Sequence, residues 1–542
     1  MICMAVAGML TAVVSAQDTY ETARVLGSDL NGTARYVSMG GAMEALGADI
    51  STISSNPAGI GLFRHSTANV SFGMVSQQDA QRFDGLNKTN MSFDQAGFVY
   101  SAKVSPTSFV NFAFNYHKSR NFDQLLSAAN LLGGASLNKL TYMKASLENS
   151  TLGGFYLDNV GSENNPEWMG FMDYSSDLPS LNYSQLDYLM ANVMMQEPGD
   201  LDHFVYYDGN SFDFNRAHRG WIADFDFNLS GNINDRVYLG VTVGLHNVNY
   251  KGYTAYTETL VDVLGSALGN VLLTDNRELS GSGVDVKVGA IFRPIETSPF
   301  RIGLYVNSPT WYSLETSNHV EVLNLSKGGL RDTGWNNDGY ETYEFKFYTP
   351  WKFGVSIGHT IGNFLALGAT YEYTDYSSAD IRKELPYYDD YGQLESESDR
   401  VMNQNVESSL KGASTVKVGM EFKPAPSVAV RFGYNYVSPM YSNNGMRNSH
   451  LESYGVYYAS TADYTNWNDT HRLTCGLGYK VGHFNVDLAY QYSMTSGDFY
   501  PMQKEVYYLD TNNNLAINSN FVMPTKVDFK RHQLLLTLGY TF

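Results

Sequence analysis

The chain has 542 residues and a formal net charge of −19, with 17% charged and 14% aromatic residues. So acidic a balance argues against a nucleic-acid partner. A charged fraction below the roughly 25% of ordinary soluble domains, together with abundant aromatics, fits a protein whose outside faces lipid.

Residues 1–16 form an apolar run ending in Val14-Ser15-Ala16 ahead of Gln17 and Asp18, the pattern of a secretory signal peptide cleaved after Ala16. The run is shorter than the roughly 20 residues of a membrane-spanning helix. Cys3 would leave with it, so that Cys475 has no disulfide partner and no cysteine metal site is expected. Beyond Ala16 no apolar stretch approaches the roughly 18 residues of a transmembrane helix. A membrane-spanning reading therefore needs strands.

Residues 17–65 read as a unit of their own, rich in small residues. Gly32, Gly40, Gly41, Gly47, Gly59 and Gly61 interrupt it, and Pro57 follows Asn56, so a long helix or central strand is disfavoured and a compact irregular segment is expected. Asn56, preceding a proline, is biased toward extended backbone, and Pro57 fixes φ, which makes a stiff corner before the first strand. On Gly32, Ala34, Arg35, Gly40, Gly41, Ala42, Asp49 and the triplet Asn56-Pro57-Ala58, this stretch resembles the N-terminal hatch of the FadL-type outer-membrane transporters of hydrophobic compounds, as found in Bacteroidetes-type chains. The resemblance implies a hatch inside a barrel, with Gly40, Gly41, Asn56, Pro57 and Ala58 at the gate. It further implies passive uptake of fatty-acid-like or aromatic molecules, no cofactor, and a monomer in the bacterial outer membrane among lipid and lipopolysaccharide. The chain departs from the enterobacterial pattern in a very long second loop and in Ser55 before Asn56, so fatty acids, aromatic hydrocarbons and haem-like compounds all stay open as ligands. Arg35, Glu44 and Asp49 are the charges expected to meet the lumen.

Residues 66–542 carry period-two alternation in pairs joined by short turns. Val70, Phe72 and Met74 begin it. Ala96 to Ala102 pairs across Pro106 with Val110 to Tyr116, and Trp221 to Leu229 pairs across 232–235 with Val237 to Leu245. The same pattern recurs at 284–306, 351–373, 416–436 and 473–492, and Leu534, Leu536, Leu538, Tyr540 and Phe542 close the chain. A terminal Phe with Tyr two residues before it looks like the C-terminal signature of bacterial outer-membrane barrels. The expected fold is all-β: a transmembrane antiparallel barrel of about fourteen strands, each near the 9 to 11 residues needed to cross. Short turns alternate with long polar segments at about 77–94, 118–217, 250–280, 308–346, 375–412, 438–468 and 494–528, the asymmetry of periplasmic turns and extracellular loops. The face opposite the apolar one carries Asp224, Asp226, Asp285, Lys287, Arg301, Lys352, Glu372, Lys417, Arg431 and Asp487. Both signs occur, so strong ion selectivity is not indicated.

Catalytic chemistry is not evident. There is no Gly-x-Ser-x-Gly elbow and no His-Glu-x-x-His pair. Asp510 to Asn514 looks like a fragment of a calcium loop but lacks its glycine and closing glutamate and reads as a loop turn, and Tyr387 to Tyr391 could gather divalent ions near lipopolysaccharide but reads rather as a solvated loop tip. In the longest loop, Leu186, Leu189, Met190, Val193 and Met194 form one stripe of a helix that Ser184 could cap, and Leu125, Leu126, Ala129 and Leu132 suggest a second. Either the stripes pack on each other and on the barrel rim, or the first is a hydrophobic landing site for a ligand. The functional alternatives to transport are a structural or adhesive barrel whose loops bind host or lipopolysaccharide, and a lipid-modifying enzyme.

Overall fold

The computed structural model describes residues 18–145, 155–159, 168–172, 183–197, 200–262, 264–329, 333–335, 341–388, 394–448, 451, 453, 456, 458–509 and 515–542. The expected signal peptide, the 510–514 fragment and residues 389–391 lie outside them.

Alternation becomes fourteen staves: β1 (Thr67–Gln77), β2 (Thr89–Ser105), β3 (Ser108–Asn121), β4 (Asp208–Ile233), β5 (Val237–Val261), β6 (Ala267–Phe292), β7 (Arg301–Asn307, resumed at Trp311–Asn324), β8 (Glu341–Tyr348, resumed at Lys352–Ile361), β9 (Leu365–Asp375), β10 (Gly412–Ala425), β11 (Val428–Val437), β12 (Tyr464–Val481), β13 (Phe484–Tyr500) and β14 (Thr525–Thr541). Each pairs antiparallel with the next, and β14 returns to β1 from Thr67↔Thr541 to Gln77↔Arg531. Closure leaves no open edge, which is the condition for a sheet to cross a bilayer. No helix among the described residues is long and apolar enough to cross.

The outward face is exposed and apolar over a limited height. On β5 it runs through Leu239, Val241, Val243 and Leu245; on β4 through Leu229, Phe227 and Phe225 up to Trp221. Trp221, Trp311 and Trp351 stand exposed at its upper boundary, and Tyr479, Phe484 and Phe542 near the lower, turn end, as interfacial aromatics do. Inside the same height the chain is polar: Asp224, Asp226, Asn228, Ser230 and Asn232 are buried on β4.

Above this band the geometry continues and the chemistry inverts. The inward residues of β4 become Phe212 and Phe214, those of β5 Tyr256 and Leu260, those of β6 Val271, Leu273 and Leu279, and those of β7 and β8 Leu314, Val320, Val322, Phe345 and Phe347, all buried. Asp213, Lys251, Asn270, Glu315 and Glu344 face outward. The upper wall is thus a water-exposed sheet over an apolar core, the reverse of the membrane wall. This corrects three expected loops. Most of 250–280 is strand, with only Asp262–Ser266 between β5 and β6; 308–346 is largely β7 and β8; and 118–217 begins and ends in strand. Leu125, Leu126 and Ala129 are not helical either: Gln124–Leu131 is a strand pairing with Leu131↔Ser211 to Gln124↔His218 of β4, its apolar residues being drawn to the wall rather than to a second helix.

Candidate functional site

Residues 18–63 touch inward groups on nearly every stave of the closed ring, which places them inside the barrel. Their backbone is irregular, so its carbonyls need donors. The wall supplies them: Asn111 Nδ2 donates to Ile60 O at 2.7 Å, Asn232 Nδ2 to Gly61 O at 3.2 Å, Arg301 Nη1 to Leu46 O at 3.1 Å, Asn435 Nδ2 to Gly40 O at 3.3 Å and Thr474 Oγ1 to Ser38 O at 3.1 Å.

Close approach is made possible by glycine in the wall. Gly240, Gly289, Gly303, Gly358, Gly368, Gly419, Gly433 and Gly476, one on each stave from β5 to β12, lie where a Cβ would press on residues between Ser38 and Ala58. A Cβ at Gly240 would meet Pro57, at Gly303 Asn56 and Glu44, at Gly419 Met39. A glycine inside a strand often marks just such an approach by another backbone.

The five residues expected at the gate are all found in this contact layer. Gly40 and Gly41 adopt φ of 63° and 78° after the short helix Ala34–Ser38, and Gly40 lies against the Tyr434 backbone. Asn56 is fully buried at φ −109°, ψ 98°; its Oδ1 accepts from Ala58 N at 3.2 Å and its Nδ2 donates to Glu44 O at 3.0 Å. Pro57 and Ala58 then open a buried 3-10 turn, Pro57–Leu62.

Charges tie the segment to the wall. Arg35 pairs with Glu421 at 3.1 Å, and Glu421 also holds Arg431 at 2.6 Å. Glu44, fully buried, accepts from Lys417 at 2.8 Å, Thr370 at 2.7 Å and Tyr36 at 3.1 Å; Lys417 reaches Glu372 at 2.9 Å. Asp49 does not meet the wall. It accepts from Thr33 Oγ1 at 2.8 Å and caps the turn Ile50–Ser54 through Ser51 N at 3.0 Å, because its place as N-cap of that turn already offers a short-range donor.

Above the segment lies a cavity of 430 Å³. One side carries a buried cluster in which His246 bridges Asp224 (2.8 Å) and Asp285 (3.2 Å), and Lys287 holds Asp285 (2.7 Å) and Asp226 (3.0 Å). The other side is cationic: Arg24, Arg120, Arg472 and Arg531 with Asp29. Burial would raise the Asp29 carboxyl, but Arg531, Arg120, Arg472 and the Asn121 N–H hold it at about 2. Among the described residues Arg531 pairs with Asp29 at 3.2 Å, whereas Arg120 and Arg472 form no ion pair; Arg472 reaches only Asn435 Oδ1, at 2.8 Å, and its Nε is buried without a partner. Sequence reasoning missed these arginines, which come together from strands far apart in the chain.

The apolar cap is a separate core, none of whose residues from Ser184 to Met194 lines this cavity. The helix Gln185–Val193 forms as expected, with Ser184 and Asp187 as a reciprocal capping box. Leu186, Leu189, Met190, Val193 and Met194 are 5%, 6%, 1%, 0% and 1% exposed, packed with Leu137, Leu140, Phe212, Leu260 and Val320. They form the core of the cap and present no open surface. In this core Glu258, accepting from Leu137 N at 3.3 Å, is pushed up to about 8 by burial. The N-terminal end rises into the same cap, where Glu21 pairs with Arg277 and with Arg447, and Tyr20 stacks on Tyr441.

No protein-family profile and no curated protein matches the sequence. Among solved structures the chain is similar to the Ralstonia pickettii toluene transporter TbuX (12% identity, TM-score 0.45, 95% of this chain and 99% of that one). It is also similar to a Pseudomonas aeruginosa FadL homologue (12%, 0.46, 95% and 100%) and to the CymD monoaromatic hydrocarbon channel (8%, 0.46, 95% and 99%).

Proposed function

We propose that this barrel sits in a bacterial outer membrane and passes small hydrophobic molecules with an acidic end inward by diffusion, residues 17–65 acting as its hatch. The carrying observation is the arrangement of the lumen: an internal segment lies on a belt of wall glycines, held by a few buried ion pairs, below a cavity with two guanidiniums, Arg120 and Arg472, that form no ion pair among the described residues, Arg120 donating to Leu26 O and Arg472 to Asn435 Oδ1. Such guanidiniums suit a carboxylate, which they bind in bidentate fashion. An apolar tail would part the cap core around Leu186 to Met194, where Met190 and Met194 can adapt in shape. Nothing in the route calls for a cofactor.

The test is flux into proteoliposomes. Asn56→Ala with Pro57→Gly removes the cap and the stiff corner of the hatch, and is expected to lower uptake of an amphiphilic acid or to raise leak of a small polar solute. Arg472→Gln is expected to lower uptake of the acid about tenfold and leave its methyl ester unchanged, the size of one charged hydrogen bond. Equal fluxes in parent and variants at equal barrel density would refute the reading and favour a barrel whose loops act alone.

A further inference from the structure

The outer wall of β8 to β11 contains a groove of 610 Å³, within the roughly 300–1,000 Å³ of small-molecule sites. Its origin is visible in the register. Gly358, Gly368, Gly419 and Gly433 are direct partners across four staves, Gly358↔Gly368, Gly368↔Gly419 and Gly419↔Gly433, and each points inward. The outward row next to them is Ile357↔Ala369↔Val418, in which Ala369 is the one small residue between two branched ones. Phe432 and Phe300 bound the groove, and so does His359.

His359 is the odd member. It stands on the bilayer side of the wall, two positions before β8 ends at Ile361, so it lies at the turn-end boundary of the apolar band. Its Nδ1 is buried and has no hydrogen-bond partner, a costly state for a polar atom in apolar surroundings. The groove runs from the exposed part of the His359 ring toward Ala369, into the depth of the bilayer.

We propose that the groove is a binding site for one acyl chain of a glycerophospholipid of the periplasmic leaflet, with His359 donating to the ester carbonyl. Continuity with the lipid-exposed band identifies the occupant: the medium against this surface is the bilayer itself, whose ester carbonyls lie at the boundary where His359 sits and whose chains extend toward Ala369. The site lies against the outside of the glycine row that touches Met39 to Leu46 on its inside, so a bound chain would cover the wall directly over the internal segment. The assignment does not depend on what the lumen carries.

The experiment is photolabelling in proteoliposomes containing phosphatidylethanolamine with a diazirine on its acyl chain, read by peptide mass spectrometry. Adducts are expected to concentrate on peptides covering 351–375 and 416–434 over the equally apolar 237–247 of β5. His359→Leu, which keeps the groove, is expected to lower that excess about two- to tenfold, the size of one hydrogen bond. Ala369→Phe, which fills it, is expected to abolish the excess. Uniform labelling of all lipid-facing peptides in the parent, or an excess unchanged by His359→Leu, overturns the proposal. So does a parallel diazirine fatty acid that labels these peptides where the phospholipid does not. If Ala369→Phe fails to insert, His359→Leu decides alone.

Discussion

Lys417→Met should release the internal segment from the wall. In the folded barrel Lys417 joins Glu44 of the segment, at 2.8 Å, to Glu372 of the wall, at 2.9 Å, and all three side chains are at least nine-tenths buried. Removing the cation leaves two carboxylates facing each other inside the barrel, and breaking a buried pair in this way costs about 3–5 kcal/mol. Glu44 keeps its bonds from Thr370 and Tyr36, which favours the lower end. With tenfold per about 1.4 kcal/mol, amide exchange protection over residues 31–63 should fall about 10²- to 10³-fold. The assay is hydrogen–deuterium exchange on the purified barrel, with heat-modifiable migration as the control for the wall. Adding Glu44→Gln and Glu372→Gln to Lys417→Met removes the uncompensated charge and should restore most of the protection. Exchange within about twofold of the parent in the single variant would refute the argument that this pair holds the segment, since a loss below about 0.5 kcal/mol is that of a surface contact. A triple variant looser than the single one would show that packing, not charge, is what was lost.

The cap carries two further expectations. The folded carboxyl of Glu258 lies at about 8, above its ordinary 4.5, so its contribution to stability is complete below about 4.5 and lost as pH rises through 8. Protease resistance of the cap should therefore fall between about pH 5 and 8 and level off above, and Glu258→Gln should flatten that profile; a parent profile that is flat from pH 5 to 8 would refute it. Leu189→Asp with Met190→Asp buries two carboxylates among Leu137, Leu140 and Val320 and should open the cap to protease while leaving the heat-modifiable barrel intact. Cleavage no faster than in the parent would mean that the helix is not the centre of this core.

What could be read from sequence follows from where physical constraint is strong and local. The hairpins were legible because lipid demands an unbroken apolar face: Leu239, Val241, Val243 and Leu245 alternate without exception, and tight turns such as Gly482-His483 fix the register. The compact segment was legible because six glycines and Asn56-Pro57 exclude regular structure. Above the membrane the constraint weakens. There the inward row of β6 reads Val271, Leu273, Asp275, Arg277, Leu279, since a closed cap can bury Arg277 against Glu21 and Asp275, and the outward row admits Leu272 because a water-exposed face tolerates single apolar residues. Alternation of that kind has too little contrast to be told from a polar loop, and its phase is opposite to that of the membrane stretch of the same strand. The glycine belt was in view as one glycine near the middle of each of many strands, but only the register shows that Gly358, Gly368, Gly419 and Gly433 stand side by side. The arginines of the cavity are set by the ring's closure: Arg120 on β3, Arg472 on β12 and Arg531 on β14 meet around Asp29 of the internal segment, and no local pattern in the chain could bring them together. A barrel closed by β14 on β1 turns residues at opposite ends of the sequence into neighbours, so its lumen chemistry is a property of the ring. A substitution such as Arg472→Gln should therefore be felt at Asp29, more than four hundred residues away in the chain, before it is felt at its own strand.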